Sequence, residues 1–194
     1  MPPRTRTYAA KVGMILLVLG CLSLTSCARD ERVSDAKPTP TVTPLFASEE
    51  EALEAARATY EGFMEATEEN LSNGGAEPDR IDAFMIAETA EVEKDGYEQY
   101  AADGRRLTGR SQLLSADVQA YEPGAERPQP IIILYVCVDF SDVDVVDVNG
   151  VSTVASSRPP HIPFEVSFVA EGDAPQQLKI TANTVWTGGG VCAD

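Results

Sequence analysis

The apolar pattern of this chain changes period once, at Gly104, and that change constrains the fold more than any other feature. Before it, Leu53, Ala56, Tyr60, Phe63, Met64, Thr67 and Leu71 recur at spacings of three and four, which places them on one stripe of a helix. After it, apolar and polar residues alternate, as they do when successive side chains point to opposite faces of a strand. Helices first and strands afterwards predict an α+β fold: three N-terminal helices, the first one long, packed on a curled antiparallel sheet of about four to six strands.

The helix boundaries follow from end chemistry. Ser48 with Glu51 makes a capping box, Glu49 and Glu50 favour the positive end of the helix dipole, and Asn73-Gly74-Gly75 stops the run. Pro78 and Asp79 open a short second helix that would bury Ile81, Phe84 and Met85. A third is predicted over residues 87–102, with Ala90, Tyr97, Tyr100 and Ala101 on one face; Gly96 inside it costs about 1 kcal/mol relative to Ala.

Among the strands, Leu114, Ala116, Val118 and Ala120 alternate with Ser115, Asp117 and Gln119. Residues 131–138 are apolar on both faces, as in a central strand covered on either side. Residues 139–150 alternate Asp and Val with a phase slip, which predicts an exposed, bulged strand before an Asn149-Gly150 turn. A calcium loop is a poor match there, because counting from Asp142 the fifth position is Val146 and the required glycine position is Asp147, and it stands only as a minor alternative to the bulged strand. Residues 158–163 are expected to be an irregular connection. Phe164, Val166, Phe168 and Ala170, then Leu178, Ile180, Ala182, Thr184 and Trp186, predict two further strands around a turn at residues 171–175.

At the other end of the chain, Arg4, Arg6 and Lys11 precede an apolar run over residues 12–24, and small residues then precede a cysteine, the layout of a signal peptide. Leu24-Thr25-Ser26-Cys27 resembles the lipobox of bacterial lipoproteins. That resemblance implies cleavage between Ser26 and Cys27 and a diacylglyceryl group, with palmitate-type chains, on the Cys27 thiol. A permanent membrane span is disfavoured, since thirteen residues at about 1.5 Å each fall short of a hydrocarbon core about 30 Å thick. Plain secretion would leave Cys27 as a free thiol heading a stalk. A second box at Cys21 would cut the apolar run to residues 12–19, so Cys27 is the better acceptor. The expected organisation is a signal peptide at 1–26, an extended Pro- and Thr-rich stalk at 27–45 and one domain at 46–194, held at the extracytoplasmic face of the cell membrane.

Cleavage would remove three of the 15 Lys and Arg and none of the 31 Asp and Glu, leaving a net charge of −19. Such a charge repels nucleic acid and anionic headgroups, so neither is an expected ligand. It would also leave Cys137 and Cys192 as the only pair in an oxidising compartment, and one disulfide is expected. Two cysteines and a distant His161 do not make a four-ligand zinc site, and neither a metal nor a cofactor is expected. His161 lies in a proline-flanked loop with no positioned partner in view, and no phosphate loop or nucleophile elbow occurs.

Tyr135-Val136-Cys137-Val138-Asp139, followed by Val185-Trp186-Thr187-Gly188 and Cys192, resembles a group of actinobacterial lipoproteins with a nuclear transport factor 2-like, cystatin-type α+β roll. The resemblance implies a cone-shaped sheet around the long helix, a possible pocket at its wide end, and a disulfide pinning the C-terminal strand to the sheet. Its motifs are structural, so no catalytic residue carries over. The functional expectation is a non-catalytic module binding a small ligand or an envelope protein. The alternative is an enzyme of proton-transfer, isomerase or cyclase type, in which Tyr60, Tyr97 or Tyr100 would face Asp139 or Glu165 inside the cone, although alternation alone gives these residues packing or surface roles.

Overall fold

The structure, a computed structural model, describes residues 44–172 and 177–192, all within one compact unit spanning residues 41–194. Ser26 and Cys27, and most of the expected turn at 171–175, lie outside the described residues.

Helix α1, Glu49–Ser72, is the long first helix. Ser48 takes extended backbone and its Oγ accepts the Glu51 N–H, while Glu51 Oε2 accepts the Ala47 N–H, so the capping box is closed one residue early. Ala52, Ala56, Tyr60, Phe63, Ala66 and Asn70 are its buried stripe. The helix stops where Gly74 and Gly75 take positive φ and the Gly75 N–H bonds to the Asn70 carbonyl. Asn70 is fully buried yet polar; its Oδ1 accepts the Glu77 N–H and so ties the helix end to the next turn. That turn, Pro78–Ala83, is a 3-10 helix and not an α-helix. Ile81 is buried in it, while Phe84 and Met85 lie beyond its end, Met85 bridging to Ile180. Helix α2, Ala87–Ala102, has the expected bounds and buries Ala90 and Tyr97, whereas Ala101 is exposed.

Four strands form the main antiparallel sheet in the order β2-β3-β5-β6: β2 Gln112–Tyr121, β3 Ile132–Asp139, β5 His161–Ala170 and β6 Leu178–Val185. Ile132, Leu134, Val136 and Val138 of β3 join Val166 and Phe168 of β5 and Ile180 of β6 in a core closed by α1 and α2. The opposite face of β3 is covered as well, as its two-sided apolar run predicts. The tail carrying Cys192 runs back over it and is bonded to Cys137, and the Trp186 ring packs on Tyr135 with centroids 4.7 Å apart.

Three register shifts curl the sheet and change which residues face inward. A register shift between Leu113 and Ser115 turns Leu114, expected in the core, to a 48% exposed position, and Leu113 packs inward instead. A second, between Val118 and Ala120, sets Tyr121 and not Ala120 against the core, and a third sets Phe168 opposite Ile180 but Ser167 opposite Ala182, leaving Thr181 as the extra residue. Beyond it the phase of β6 is reversed: Ala182, Thr184 and Trp186 leave the core side and Asn183, paired with Val166, joins it.

Two further strands make a separate ribbon, β1 Arg106–Thr108 with β4 Asp144–Val146, Leu107 opposite Val145. Here the expected bulged strand over 139–150 is a three-residue strand paired with a segment that had shown no strand signal. The Asn149-Gly150 turn forms, with Gly150 at φ +77° and the Asp147 carboxylate accepting the Asn149 and Val151 N–H groups. Asp139 and Asp144 likewise spend oxygens on the N–H groups of Ser141 and Val145, so these carboxylates shape turns. The expected irregular connection also differs. His161 already opens β5 opposite Asp139, and Arg158 donates to the carbonyls of Phe140 and Val143 at 2.8 and 2.6 Å, fixing the ribbon to the sheet.

Candidate functional site

A cavity of about 280 Å³ lies between α1, α2, the core side of the sheet and the ribbon. Helix α1 contributes Tyr60, Phe63, Thr67 and Glu68; α2 contributes Glu93 and Tyr97 one turn apart. Val138, Phe164 and Asn183 come from β3, β5 and β6, and Leu107 and Val143 close it from the ribbon side. The ribbon is held there by the Glu68 carboxylate, whose Oε1 accepts from Ser111 N at 2.6 Å and from Ser111 Oγ at 2.5 Å. Gly109, at φ +80°, lets that turn pass directly against the Asp142 carbonyl, where any side chain would collide with backbone.

The walls are largely aromatic and aliphatic side chains, with a handful of polar groups among them. The Tyr97 hydroxyl shares a hydrogen bond with Thr67 Oγ1 at 2.9 Å. Burial pushes the Tyr97 phenol up to about 12, with the nearby Glu93 charge adding to the rise and Thr67 opposing it. Burial raises the Tyr60 phenol further, the Asn183 amide offsetting part of the effect. Neither tyrosine ionises near neutral pH. Asn183 Oδ1 is buried and has no hydrogen-bond partner among the described residues. Glu93 is half-buried, in no ion pair among the described residues, and its carboxyl is raised above the usual range by desolvation.

Of the five residues expected to meet in the cone, the structure brings two together. Tyr60 and Tyr97 line the cavity. Tyr100 does not; it sits three residues on along α2 with its hydroxyl buried and without a partner among the described residues. Asp139 and Glu165 lie on the other side of the sheet, because their neighbours Val138 and Phe164 already face the cavity and a strand alternates. There Asp139 Oδ1 is 3.8 Å from His161 Nε2, and hydrogen bonds from Ser141, helped by His161, hold its carboxyl below the usual range. Glu165 stands between Tyr135 and Thr184 on that outer face. No hydrogen bond joins a carboxylate to a tyrosine in the cavity among the described residues.

The carboxylates that do reach the cavity carried a readable signal. Glu68 falls between Met64 and Leu71 at spacings of four and three, and Glu93 falls between Ala90 and Tyr97 at three and four, so each charge lies on an otherwise apolar stripe. Asn183 had none, since its inward aim depends on the Thr181 bulge.

Burial of an unpaired Glu93 gives a pH-dependent prediction. Below the ordinary glutamate pKa of about 4.3 both folded and unfolded chains hold the proton, and the carboxyl carries no ionisation penalty. As pH rises the unfolded chain releases it first, so stability falls until the raised folded value is passed. Glu93→Gln is therefore expected to match the parent at pH 4 and to be the more stable protein at pH 7. Urea melts at the two pH values check it; an equal or less stable variant at pH 7 refutes the buried, unpaired state.

No protein-family model matches the chain, and no curated protein does. Among solved structures it is similar to the intermembrane-space region of the chloroplast protein ARC6, at 10% identity over 69% of this chain and 95% of that one, with a TM-score of 0.49. It is also similar to a de novo designed β-sheet protein solved by NMR, at 14% identity over 75% of this chain and 95% of that one, with a TM-score of 0.33. Likenesses at this level assign no activity.

Proposed function

We propose that this protein is a lipoprotein anchored through Cys27 to the extracytoplasmic face of the cell membrane, whose nuclear transport factor 2-like roll is a non-catalytic module that binds a small ligand. The observation that carries the binding reading is the cavity: about 280 Å³, walled by aromatic and aliphatic side chains, with a buried acceptor at Asn183 Oδ1 that has no partner among the described residues. Apolar walls with a few placed polar groups are what small-ligand sites consist of. The anchoring reading draws on the signal pattern and on the Cys137–Cys192 bond, a bond favoured by an oxidising compartment.

Two experiments test it. Labelled palmitate should be incorporated by the parent and lost in Cys27→Ser, with the protein leaving the membrane fraction; label retained by the variant refutes anchoring at this residue. Native mass spectrometry of protein extracted from membranes should show an adduct beyond the lipid, depleted when Tyr60→Trp fills the cavity. Identical spectra for parent and variant refute the small-ligand reading.

A second reading, proton transfer beside a carbonyl, is favoured by one observation: a carboxyl of raised pKa, Glu93, one helical turn from Tyr97. It shifts the carboxylate role from Asp139 and Glu165 to Glu93. The Tyr97 hydroxyl is engaged with Thr67, which leaves Glu93 without a charge-stabilising partner and makes binding the better account.

A further inference from the structure

The charged groups facing the cavity are all of one sign. Two carboxylates reach it, Glu68 and Glu93, and among the described residues no Lys, Arg or His side chain lines it. Glu68 spends Oε1 on Ser111, and Glu93 has no counter-ion among the described residues. The Asn183 amide lies against the Tyr60 phenol, and its Oδ1 has no hydrogen-bond partner among the described residues. The rest of the wall is apolar, part aliphatic and part aromatic, with the rings of Tyr60, Phe63 and Tyr97 on the helices and those of Phe140 and Phe164 on the sheet side. Ring faces are negative at their centres and attract a cation once water is excluded.

Resting on the reading that the cavity binds a small ligand, we infer that its ligand is an organic cation: a protonated or quaternary amine carried on an apolar body. An anionic guest would face two carboxylates with no cation to meet it. A neutral apolar guest would leave Glu93 and Asn183 Oδ1 desolvated without a partner, a cost that each such buried group carries. A protonated ammonium donates hydrogen bonds to both, a quaternary one meets them by charge attraction alone, and the apolar wall accepts the methyl or methylene shell of either. A metal ion fits less well, because no group of three or more His, Cys, Asp or Glu side chains comes together among the described residues. The strongly acidic chain adds a field that concentrates cations near the mouth.

The test uses the full chain extracted from membranes and three probes of one shape. They are benzyltrimethylammonium, the uncharged molecule in which tert-butyl replaces trimethylammonium, and benzylsulfonate. Affinities are read by equilibrium dialysis against a protein-free detergent blank. The cation is expected to bind at least about tenfold more tightly than its neutral counterpart, which is about 1.4 kcal/mol. Glu93→Gln keeps the shape and removes the charge, and it should bring the preference to about threefold or less. Because this variant is expected to be no less stable than the parent, a loss of preference in it is not a loss of fold. Equal or tighter binding of the neutral or anionic probe overturns the inference while leaving the small-ligand reading standing. If none of the three binds, the inference falls, and the adduct spectrum of the membrane-extracted protein decides separately whether the binding reading falls with it.

Discussion

The double variant Cys137→Ala/Cys192→Ala is expected to unfold with about 4 kcal/mol less free energy than the parent. The bond joins residues 55 apart, and releasing it returns the closure entropy of that loop to the unfolded chain. Within the folded state it is also the tie that brings the tail of residues 186–192 back over β3, helped by the stacking of Trp186 on Tyr135 and by Gly188, whose missing side chain lets the indole lie over it. Domains of this size hold about 5–15 kcal/mol in all, so the loss is a large share of the total. At 2–4 °C per kcal/mol it lowers the melting temperature by roughly 8–16 °C. Reduced parent protein should melt like the double variant, and the double variant should not respond to reductant. A double variant within about 0.5 kcal/mol of the parent would mean that the loop ends are held together in the unfolded ensemble without the bond.

Phe168→Ala is expected to cost about 3–5 kcal/mol, as for a large aromatic removed from a core that cannot collapse around the gap. Phe168 is fully buried at the middle of the sheet, between Ile132 on β3 and Ile180 on β6, immediately beside the register shift that re-aims β6. Leu114→Ala is the control: strand alternation assigns it to the core, but the bulge exposes it, and its replacement should stay within about 0.5 kcal/mol. Urea unfolding of both variants measures the contrast. A Leu114 variant as damaging as Phe168→Ala would place the bulge elsewhere and restore the uninterrupted alternation.

The features legible in the sequence were those governed by neighbours along the chain. The ends of α1 follow from Ser48, Glu51 and Gly74-Gly75, the bounds of α2 from the pattern of residues 87–102, and β3 from an unbroken apolar run; each depends on contacts within a few residues. The Cys137–Cys192 pair was legible because the expected export of the chain leaves no other partners. The α+β order, helices and then strands, needs only the change of period at Gly104.

Tertiary structure decided which residues share the cavity. One extra residue, Thr181, reverses the phase of β6, sending Trp186 to the outer face and Asn183 inward, and a period of two gives no notice of such a slip. The ribbon is another case, since a three-residue strand such as β1 has no periodicity to detect and exists only because β4 pairs with it. The same dependence separates Tyr60 and Tyr97 from Asp139 and Glu165. All four residue types suited the chemistry expected of them, but only the register of β3 and β5 against the helices sets two on the cavity side and two behind the sheet. Local sequence thus determined the elements and the order in which they come. The cavity was decided by pairing between segments far apart in the chain, because a single inserted residue in a strand moves every side chain beyond it to the opposite face.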